Sequence, residues 1–174
     1  MRLPVNNHIP SGEWKQKEFK IPWVRGDSIN MAIGQGFIQV TPLQMANVFA
    51  TIGVGQRFRP HLLKDVMTRD GEKIFEFKPE KIGDVPISKE NLKLVRQALR
   101  SVVKRGTGVG SKVQGIPSAG KTGTAENPGK AHAWFMCYAT SEAPEIVISS
   151  FVAHGEHGDK VTAHIARDIL TWYK

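Results

Sequence analysis

Three β-rich segments near the C-terminal end place the strongest constraint on how this chain can fold. They are IPSAGKTGTAE, HAWFMCYA and EIVISSFVAH, and they are joined by short links. Such strands pair antiparallel, because a parallel pair needs a connection of about a dozen residues or more. Helical segments stand before and after them. We therefore predict an α+β fold in which an antiparallel sheet is flanked by helices.

The helices carry clear start and stop signals. Thr41, Pro42 and Gln44 form a capping box with proline in the first turn, and the apolar residues that follow predict a buried helix. Ser88 and Gly106 bound a second helix. We expect this helix to present one apolar stripe, made by Leu92, Val95, Leu99 and Val102.

Other segments are predicted by turn residues and periodicity. The pair Asp70-Gly71 predicts a tight β-hairpin between the two helices. Asp159 is expected to cap a last helix, whose inward face is predicted to be Val161, Ile165, Ile169 and Trp172. Residues 1–26 show no period and are predicted to be irregular. Their expected anchors are Trp14, Phe19 and Trp23.

Length and composition limit the function classes. A chain of 174 residues is one domain or a piece of a larger one, and its 40% apolar content is typical of a globular fold. No apolar run approaches the roughly 18 residues that cross a bilayer, so we expect a soluble chain. The net charge of +8 comes from scattered residues, which favours a basic surface over nucleic-acid recognition. The single cysteine, Cys137, lies in an apolar run and is expected to be buried.

The stretch GIPSAGKTGTAENPGK matches two incompatible motifs. From Gly115 it gives G-x-x-x-x-G-K-T, the pattern of a nucleotide phosphate-binding loop. Such a loop needs a buried strand before it and a helix beginning at its Gly-Lys-Thr. Upstream stands GTGVGSKVQ, which is not a buried strand, and Asn127, Pro128 and Gly129 would interrupt a helix within two turns. We therefore reject the nucleotide-binding interpretation.

From Lys121 the same stretch gives Lys-Thr-Gly-Thr on a predicted strand. Gly123 would leave room for a ligand beside the strand, as glycine in a strand often does. Lys121 would supply positive charge, and the hydroxyls of Thr122 and Thr124 would donate to a carboxylate. The backbone N–H of Thr124 would then be a candidate oxyanion donor for acyl transfer.

Three stretches together resemble the class B penicillin-binding proteins, and in particular the penicillin-binding protein 2 branch, which acts in cell elongation. They are RGDSINMAIGQGFIQVTPLQMANVFATI, SAGKTGTAE followed by HAWFMCYA, and the closing ARDIL helix. The resemblance runs from about Pro10 to the C-terminus. It implies a transpeptidase fold like that of the β-lactamases, with no metal or other cofactor.

The family's site combines S-x-x-K, S-x-N and K-T-G motifs. By the resemblance, Lys121, Thr122 and Gly123 are the third motif, and Thr122 and Thr124 bind the substrate carboxylate and the oxyanion. The first two motifs should precede residues 26–36. We therefore expect the whole chain, residues 1–174, to be the C-terminal portion of a transpeptidase domain whose serine nucleophile lies upstream.

Several residues match the spacing of a site motif but are not expected to belong to the site. Ser101 and Lys104 have S-x-x-K spacing, but they stand in the wrong order for the family, in which the nucleophile comes first. Ser28 and Asn30 have S-x-N spacing, but their phrase matches a different part of the family's sequence, so we expect a structural role. His154, Glu156, His157 and Asp159 fit no helical zinc motif, and a polar loop is the preferred interpretation. Strand alternation places His132 and Trp134 on one face and Ala133 and Phe135 on the other, and we expect Trp134 to pack in the core.

The resemblance implies a function for the parent protein. It would be a D,D-transpeptidase that cross-links peptidoglycan stem peptides through an acyl-serine and is acylated by β-lactams. It would act at the periplasmic face of the inner membrane, with a glycan polymerase and the elongation machinery as partners. This chain alone is expected to be inactive. A binding module without chemistry is the alternative, and it predicts reversible ligand binding.

Overall fold

A computed structural model describes residues 9–173. Its elements are five α-helices and seven β-strands, in the order α1 Gly12–Phe19, α2 Arg25–Ala32, α3 Pro42–Val54, β1 Gln56–Phe58, β2 Asp65–Met67, β3 Lys73–Glu76, β4 Lys81–Asp84, α4 Lys89–Arg105, β5 Ser118–Ala125, β6 His132–Ala139, β7 Ile146–Val152 and α5 Thr162–Tyr173. Within this range no helix is long and apolar enough to cross a membrane.

The centre of the fold is a three-stranded antiparallel sheet in the order β5-β6-β7. Strand β6 lies in the middle and is buried along most of its length, as expected for a strand covered on both faces. One face packs on α5 through a cluster that contains Phe135, Cys137 and Leu170. The other face packs on α3 and α4 through Phe49, Leu99, Tyr138 and their neighbours. The predicted α+β class and the antiparallel pairing are confirmed.

The predicted starts of α3 and α4 and the hairpin are also confirmed. The Thr41 hydroxyl accepts from the Gln44 N–H at 3.2 Å, and the Gln44 side chain accepts from the Thr41 N–H at 2.7 Å. The Ser88 hydroxyl accepts from the Asn91 N–H at the start of α4. Strands β2 and β3 form the predicted hairpin around Gly71, which takes φ 87°. The prediction missed one pairing, that of β1 with β4.

The prediction of an irregular segment over residues 1–26 is wrong for residues 12–19 and 25–26, which are helical, and its first eight residues lie outside the described range. Ser11 caps α1, so Trp14 lies in a helix and not in a loop. The Asp27 carboxylate accepts from the Val24 N–H at 2.8 Å and starts α2. These helices have eight residues each, too few for a periodic signal to stand out.

The predicted orientation of α5 is wrong. Its buried residues are Thr162, Ala163, Ala166 and Leu170, whereas Val161, Ile165, Ile169 and Trp172 are exposed. Small alanines on the inner face let the helix approach the sheet closely, so the bulkier residues are left outside. Asp159 does not cap the helix, because the first helical residue is Thr162.

The apolar faces of α3 and α4 also differ in part from the prediction. In α3, Phe49 is buried, but Leu43 and Val48 are exposed, so the helix is not covered on most sides. In α4 the buried stripe is Leu92, Leu99 and Val103, and the predicted Val95 is exposed. Packing on the sheet covers only one side of each helix here.

Candidate active site on the outer edge of β5

Strand β5 is an edge strand, and it carries the Lys-Thr-Gly-Thr sequence. The N–H and C=O of one residue in an antiparallel strand point to the same side. The Thr122 carbonyl accepts from the Lys121 side chain, and the Thr124 carbonyl accepts from the Gln35 side chain, so both point away from β6. The N–H groups of Thr122 and Thr124 therefore face the same open edge. This edge can receive an extended peptide by strand addition.

The side chains of the motif divide between the two faces of the sheet. Thr122 lies opposite Phe135 in the register, so its side chain shares the α5 face with that ring. Thr124 lies two residues on and shares that face. Lys121 lies opposite Met136, on the face that packs on α3. A ligand lying along the edge can therefore be contacted from above by the lysine and from below by the hydroxyls.

Lys121 and Thr122 are both held by short polar contacts. The Lys121 Nζ donates to the Thr122 carbonyl at 2.7 Å, and the lysine is exposed. The Thr122 hydroxyl lies 2.7 Å from the Thr107 hydroxyl. If Thr107 donates in this pair, the Thr122 hydroxyl keeps its own proton for a ligand. Thr107 lies in the connection between α4 and β5, and sequence reasoning missed it.

Glycine is required beside the strand as well as in it. A Cβ on Gly123 would lie 3.2 Å from the Trp134 Cβ, a tight contact. A Cβ on Gly158 would overlap the Trp134 carbonyl oxygen and lie 2.8 Å from the Gly123 oxygen. The loop before α5 thus rests directly on the backbone of β5 and β6. This contact supports the two strands from one face of the sheet.

Ser28 and Ser101, which match the spacing of site motifs, make local contacts in helices. The Ser28 hydroxyl accepts from the Trp23 indole N–H at 2.9 Å. The Ser101 hydroxyl donates to the Gln97 carbonyl one turn earlier, at 3.0 Å, as serine in a helix commonly does.

Cys137 is fully buried, and burial raises the pKa of its thiol to about 12. Its thiol is therefore protonated at neutral pH and is not a nucleophile.

The histidine-rich segment forms a polar loop between β7 and α5. The His132 Nδ1 accepts from the His154 N–H at 3.0 Å, and the His154 ring contacts the Lys130 carbonyl at the same distance. Within residues 9–173, no three histidine, cysteine or acidic side chains are grouped as metal ligands would be. His132 and Trp134 both contact the Phe151 ring, which confirms that they share a face. The predicted core position of Trp134, beside the Tyr138 cluster, is also confirmed.

The geometry rules out a nucleotide phosphate-binding loop. Lys121 and Thr122 lie inside an antiparallel edge strand, and the following residues continue that strand to Ala125. A phosphate-binding loop would instead place them at the start of a helix.

The family profile described as "Penicillin binding protein transpeptidase domain" matches residues 8–171. The chain belongs to this transpeptidase family.

Similar proteins agree with this assignment. The Haemophilus influenzae protein named "Peptidoglycan D,D-transpeptidase MrdA" is 31% identical over 95% of this chain. Penicillin-binding protein 2 of Pseudomonas aeruginosa, solved in complex with WCK 5153, is 31% identical, with a TM-score of 0.77 over 94% of this chain. The Helicobacter pylori penicillin-binding protein 2, solved in complex with MreC, is 27% identical, with a TM-score of 0.75 over 94%. The resemblance to the penicillin-binding protein 2 branch is confirmed.

The chain covers a limited part of these relatives. It spans 28% of the Haemophilus protein, 36% of the Pseudomonas chain and 30% of the Helicobacter chain. Within this chain the structure brings Lys121, Thr122, Gly123 and Thr124 together on one edge. It also adds Gln35, which sequence reasoning missed. The signal for Gln35 was its position between two glycines, Gly34 and Gly36.

Proposed function

We propose that this chain supplies the substrate-binding edge of a peptidoglycan D,D-transpeptidase. The observation that carries the proposal is the open outer edge of β5, with the backbone N–H of Thr124 directed outward beside Lys121. Membership of the transpeptidase family and the likeness to penicillin-binding protein 2 structures support it. The chain would be the C-terminal portion of its domain.

In this proposal a segment upstream of residue 1 supplies the serine of S-x-x-K and the S-x-N motif. Two features of this chain support an additional protein surface. Strand β7 has no strand partner on its outer side in the described part of the chain. Beside the sheet, α5 exposes a groove of about 340 Å³ lined by Ile165, Asp168, Ile169 and Trp172. In this proposal the exposed apolar side chains of α5 would pack against the upstream segment.

The reaction would proceed in two acyl transfers. The serine oxygen attacks the carbonyl carbon of the penultimate D-alanine and gives up its proton to a base. The oxygen of the tetrahedral intermediate takes the negative charge, and the Thr124 N–H donates a hydrogen bond to it. The intermediate collapses, the terminal D-alanine leaves as a protonated amine, and an acyl-serine remains. An amine of a second stem peptide then attacks this ester and releases the serine.

The proposed roles of the side chains follow from their positions. The Lys121 ammonium lies where it can offset the negative charge of the intermediate and of the substrate carboxylate. The hydroxyls of Thr122 and Thr124, on the other face, would donate to that carboxylate. Gly123 keeps the edge narrow so that the ligand backbone can approach. A β-lactam would occupy the same edge and acylate the same serine.

The setting of the parent protein is part of the proposal. It would act at the periplasmic face of the inner membrane in cell-shape maintenance, with a glycan polymerase as partner. Contact with the elongation machinery is supported by the Helicobacter relative, which was solved with MreC.

The direct test is turnover of a stem peptide by this chain preceded by its upstream segment. A pentapeptide stem ending in D-Ala-D-Ala and an amine acceptor are incubated with the protein, and products are read by mass spectrometry. We expect release of one D-alanine for each acyl transfer, and loss of this release in Lys121→Ala. Release without any transfer to the acceptor would instead identify a carboxypeptidase. No release by the wild-type protein would contradict the proposal.

A further inference from the structure

Gln35 closes the outer edge of β5 immediately beyond the Lys-Thr-Gly-Thr sequence. Its side-chain Nε2 donates to the Thr124 carbonyl at 3.0 Å, and its Oε1 accepts from the Glu126 N–H at 3.3 Å. Both groups point outward from the strand, where a neighbouring strand would otherwise pair with them. The side-chain amide of Gln35 thus makes the two hydrogen bonds that a residue of a neighbouring strand would otherwise make. The two contacts fix its orientation, because only the NH₂ can face a carbonyl and only the oxygen can face an N–H.

The backbone conformation of the loop directs the Gln35 side chain toward β5. Gly34 and Gly36 take φ values of 78° and 76°, which residues with a Cβ rarely adopt. The Gln35 N–H donates to the Asn30 carbonyl at 2.9 Å, which ties the loop to the end of α2. A Cβ on Gly36 would also press on the Asn30 side chain at 3.3 Å. The two glycines and the helix end turn the glutamine toward β5.

The same loop is anchored on α1. The ring of Phe37 packs edge-on against Trp14 at 5.5 Å and lies 5.4 Å from the ring of Phe19. The Lys15 Nζ lies 5.4 Å from the centre of the Phe37 ring and pairs with Asp27 at 2.6 Å. The segment that carries Gln35 is therefore packed against α1 and is not a free loop.

We propose that Gln35 is a positioning residue of this site, which holds the Thr124 peptide in place and ends the open edge after the Thr124 N–H. Two consequences follow. Gln35 holds the Thr124 carbonyl at the outer edge, and Gly158 packs against the Gly123 carbonyl, so the Thr124 N–H between these two carbonyls has a fixed direction. A ligand strand can pair with the edge at the N–H groups of Thr122 and Thr124, but not at Thr124 O or Glu126. Gln35 would thereby set the register of the bound peptide.

Three variants separate the contacts of Gln35. Gln35→Ala removes both hydrogen bonds. Gln35→Glu keeps an oxygen that can accept from the Glu126 N–H but loses the donor to Thr124 O. Gln39→Ala is the matched control, because Gln39 follows in the same segment and is exposed.

The first readout is amide hydrogen exchange, which needs no catalytic serine. In Gln35→Ala we expect the Glu126 N–H to exchange about tenfold faster, since a hydrogen bond that protects it is lost. In Gln35→Glu and Gln39→Ala this protection should remain close to that of the wild type. Unchanged exchange at Glu126 in Gln35→Ala would overturn the closure of the edge.

The second readout rests on the proposed function and uses the protein with its upstream segment. The rate of the acylation step and the affinity of the initial complex are measured separately with a fluorescent penicillin. Gln35→Ala and Gln35→Glu should each slow the acylation step about tenfold and leave the initial affinity and the melting temperature nearly unchanged. Gln39→Ala should acylate at the wild-type rate.

The outcomes distinguish the two proposals. Equal acylation rates in wild type and Gln35→Ala would overturn the positioning role, as would an equal loss in Gln39→Ala. A loss of affinity alone would show that Gln35 acts on binding and not on the Thr124 peptide, which also overturns it. A wild-type protein that does not react with penicillin would contradict the proposed function, while the exchange experiment would still decide whether Gln35 closes the edge.

Discussion

The two outer edges of the central sheet differ in the side chains that lie beside them. Along β5, the outward carbonyls of Thr122 and Thr124 are met by the polar side chains of Lys121 and Gln35, and a short stretch of edge between them stays open. Along β7 no strand pairs with the outer side within residues 9–173, and the neighbouring helix α5 exposes Ile165, Ile169 and Trp172. An edge with fixed polar contacts suits a small, exchangeable ligand. An edge beside bulky apolar side chains suits permanent contact with protein.

The largest effect is expected from Lys121→Ala on the β5 edge. Loss of the ammonium should slow acylation of the protein with its upstream segment by about a hundredfold or more, the scale seen when one electrostatic contact to an oxyanion is removed. The unfolding midpoint should barely change, because Lys121 is exposed. Acylation kinetics and thermal unfolding check both statements. Lys112→Ala, an exposed lysine outside the site, is the control, and an equal loss there would contradict a specific role for Lys121.

Gly158→Ala tests the support behind the β5 edge. The added Cβ would overlap the Trp134 carbonyl oxygen and press on that of Gly123, and neither backbone atom can move without disturbing the sheet. We expect a loss of about 3 kcal/mol in the free energy of unfolding, measured by urea denaturation. Gly26→Ala is the comparison, because a Cβ there meets nothing within 4 Å. Wild-type stability in Gly158→Ala would show that the loop does not rest on the strand.

Trp172→Ser tests the apolar side of the comparison. The side chain of Trp172 is 86% exposed, so its loss should change the stability of this chain by less than about 0.5 kcal/mol. Association with a separately produced upstream segment should weaken about thirtyfold, the effect typical of an aromatic anchor in an interface. Titration calorimetry measures this affinity. Leu94→Ser, at an exposed site on α4, should leave it unchanged, and unchanged affinity in Trp172→Ser would remove α5 from the interface.

The smallest effect concerns the support of Gln35. The pKa of the Asp27 carboxyl is lowered, first by its hydrogen bond from Lys15 and then by that from the Val24 N–H. A lowered folded-state pKa stabilises the fold above the unfolded pKa, about 3.9, and this contribution is lost as the pH falls through the folded value. Wild-type stability should therefore decline below about pH 4. Asp27→Asn should remove part of that decline, as followed by thermal unfolding from pH 6 to pH 2, and an unchanged decline would contradict the pairing.

Sequence reasoning recovered the parts of this fold that are specified locally. The capping box at Thr41, the N-cap at Ser88 and the turn at Gly71 depend on neighbouring residues, and the structure has all three. The Lys-Thr-Gly-Thr strand and its partner were also recognisable, because a glycine-containing extended run is followed by a β-rich run. These signals were sufficient for the fold class, and they correctly placed the Lys-Thr-Gly-Thr sequence on a strand.

Features that depend on tertiary contacts were missed or predicted wrongly. Periodicity alone gave α5 the wrong inner face, since it cannot tell that Ala163 and Ala166 allow the close approach to the sheet. Gln35 and Thr107 were missed because their partners in β5 lie far along the chain or in the next segment. A polar side chain between two glycines carries no indication of which distant backbone it will meet. Only the assembled fold supplies that information.

The proposed division of the site between this chain and an upstream serine is tested by the intact mass of the protein after incubation with a fluorescent penicillin, with and without the upstream segment. We expect no covalent adduct on the 174-residue chain alone. With the upstream segment we expect one adduct, located on a serine outside this chain. An adduct on the isolated chain would contradict this division. Mapped to Ser101, it would show that this helix serine is the nucleophile.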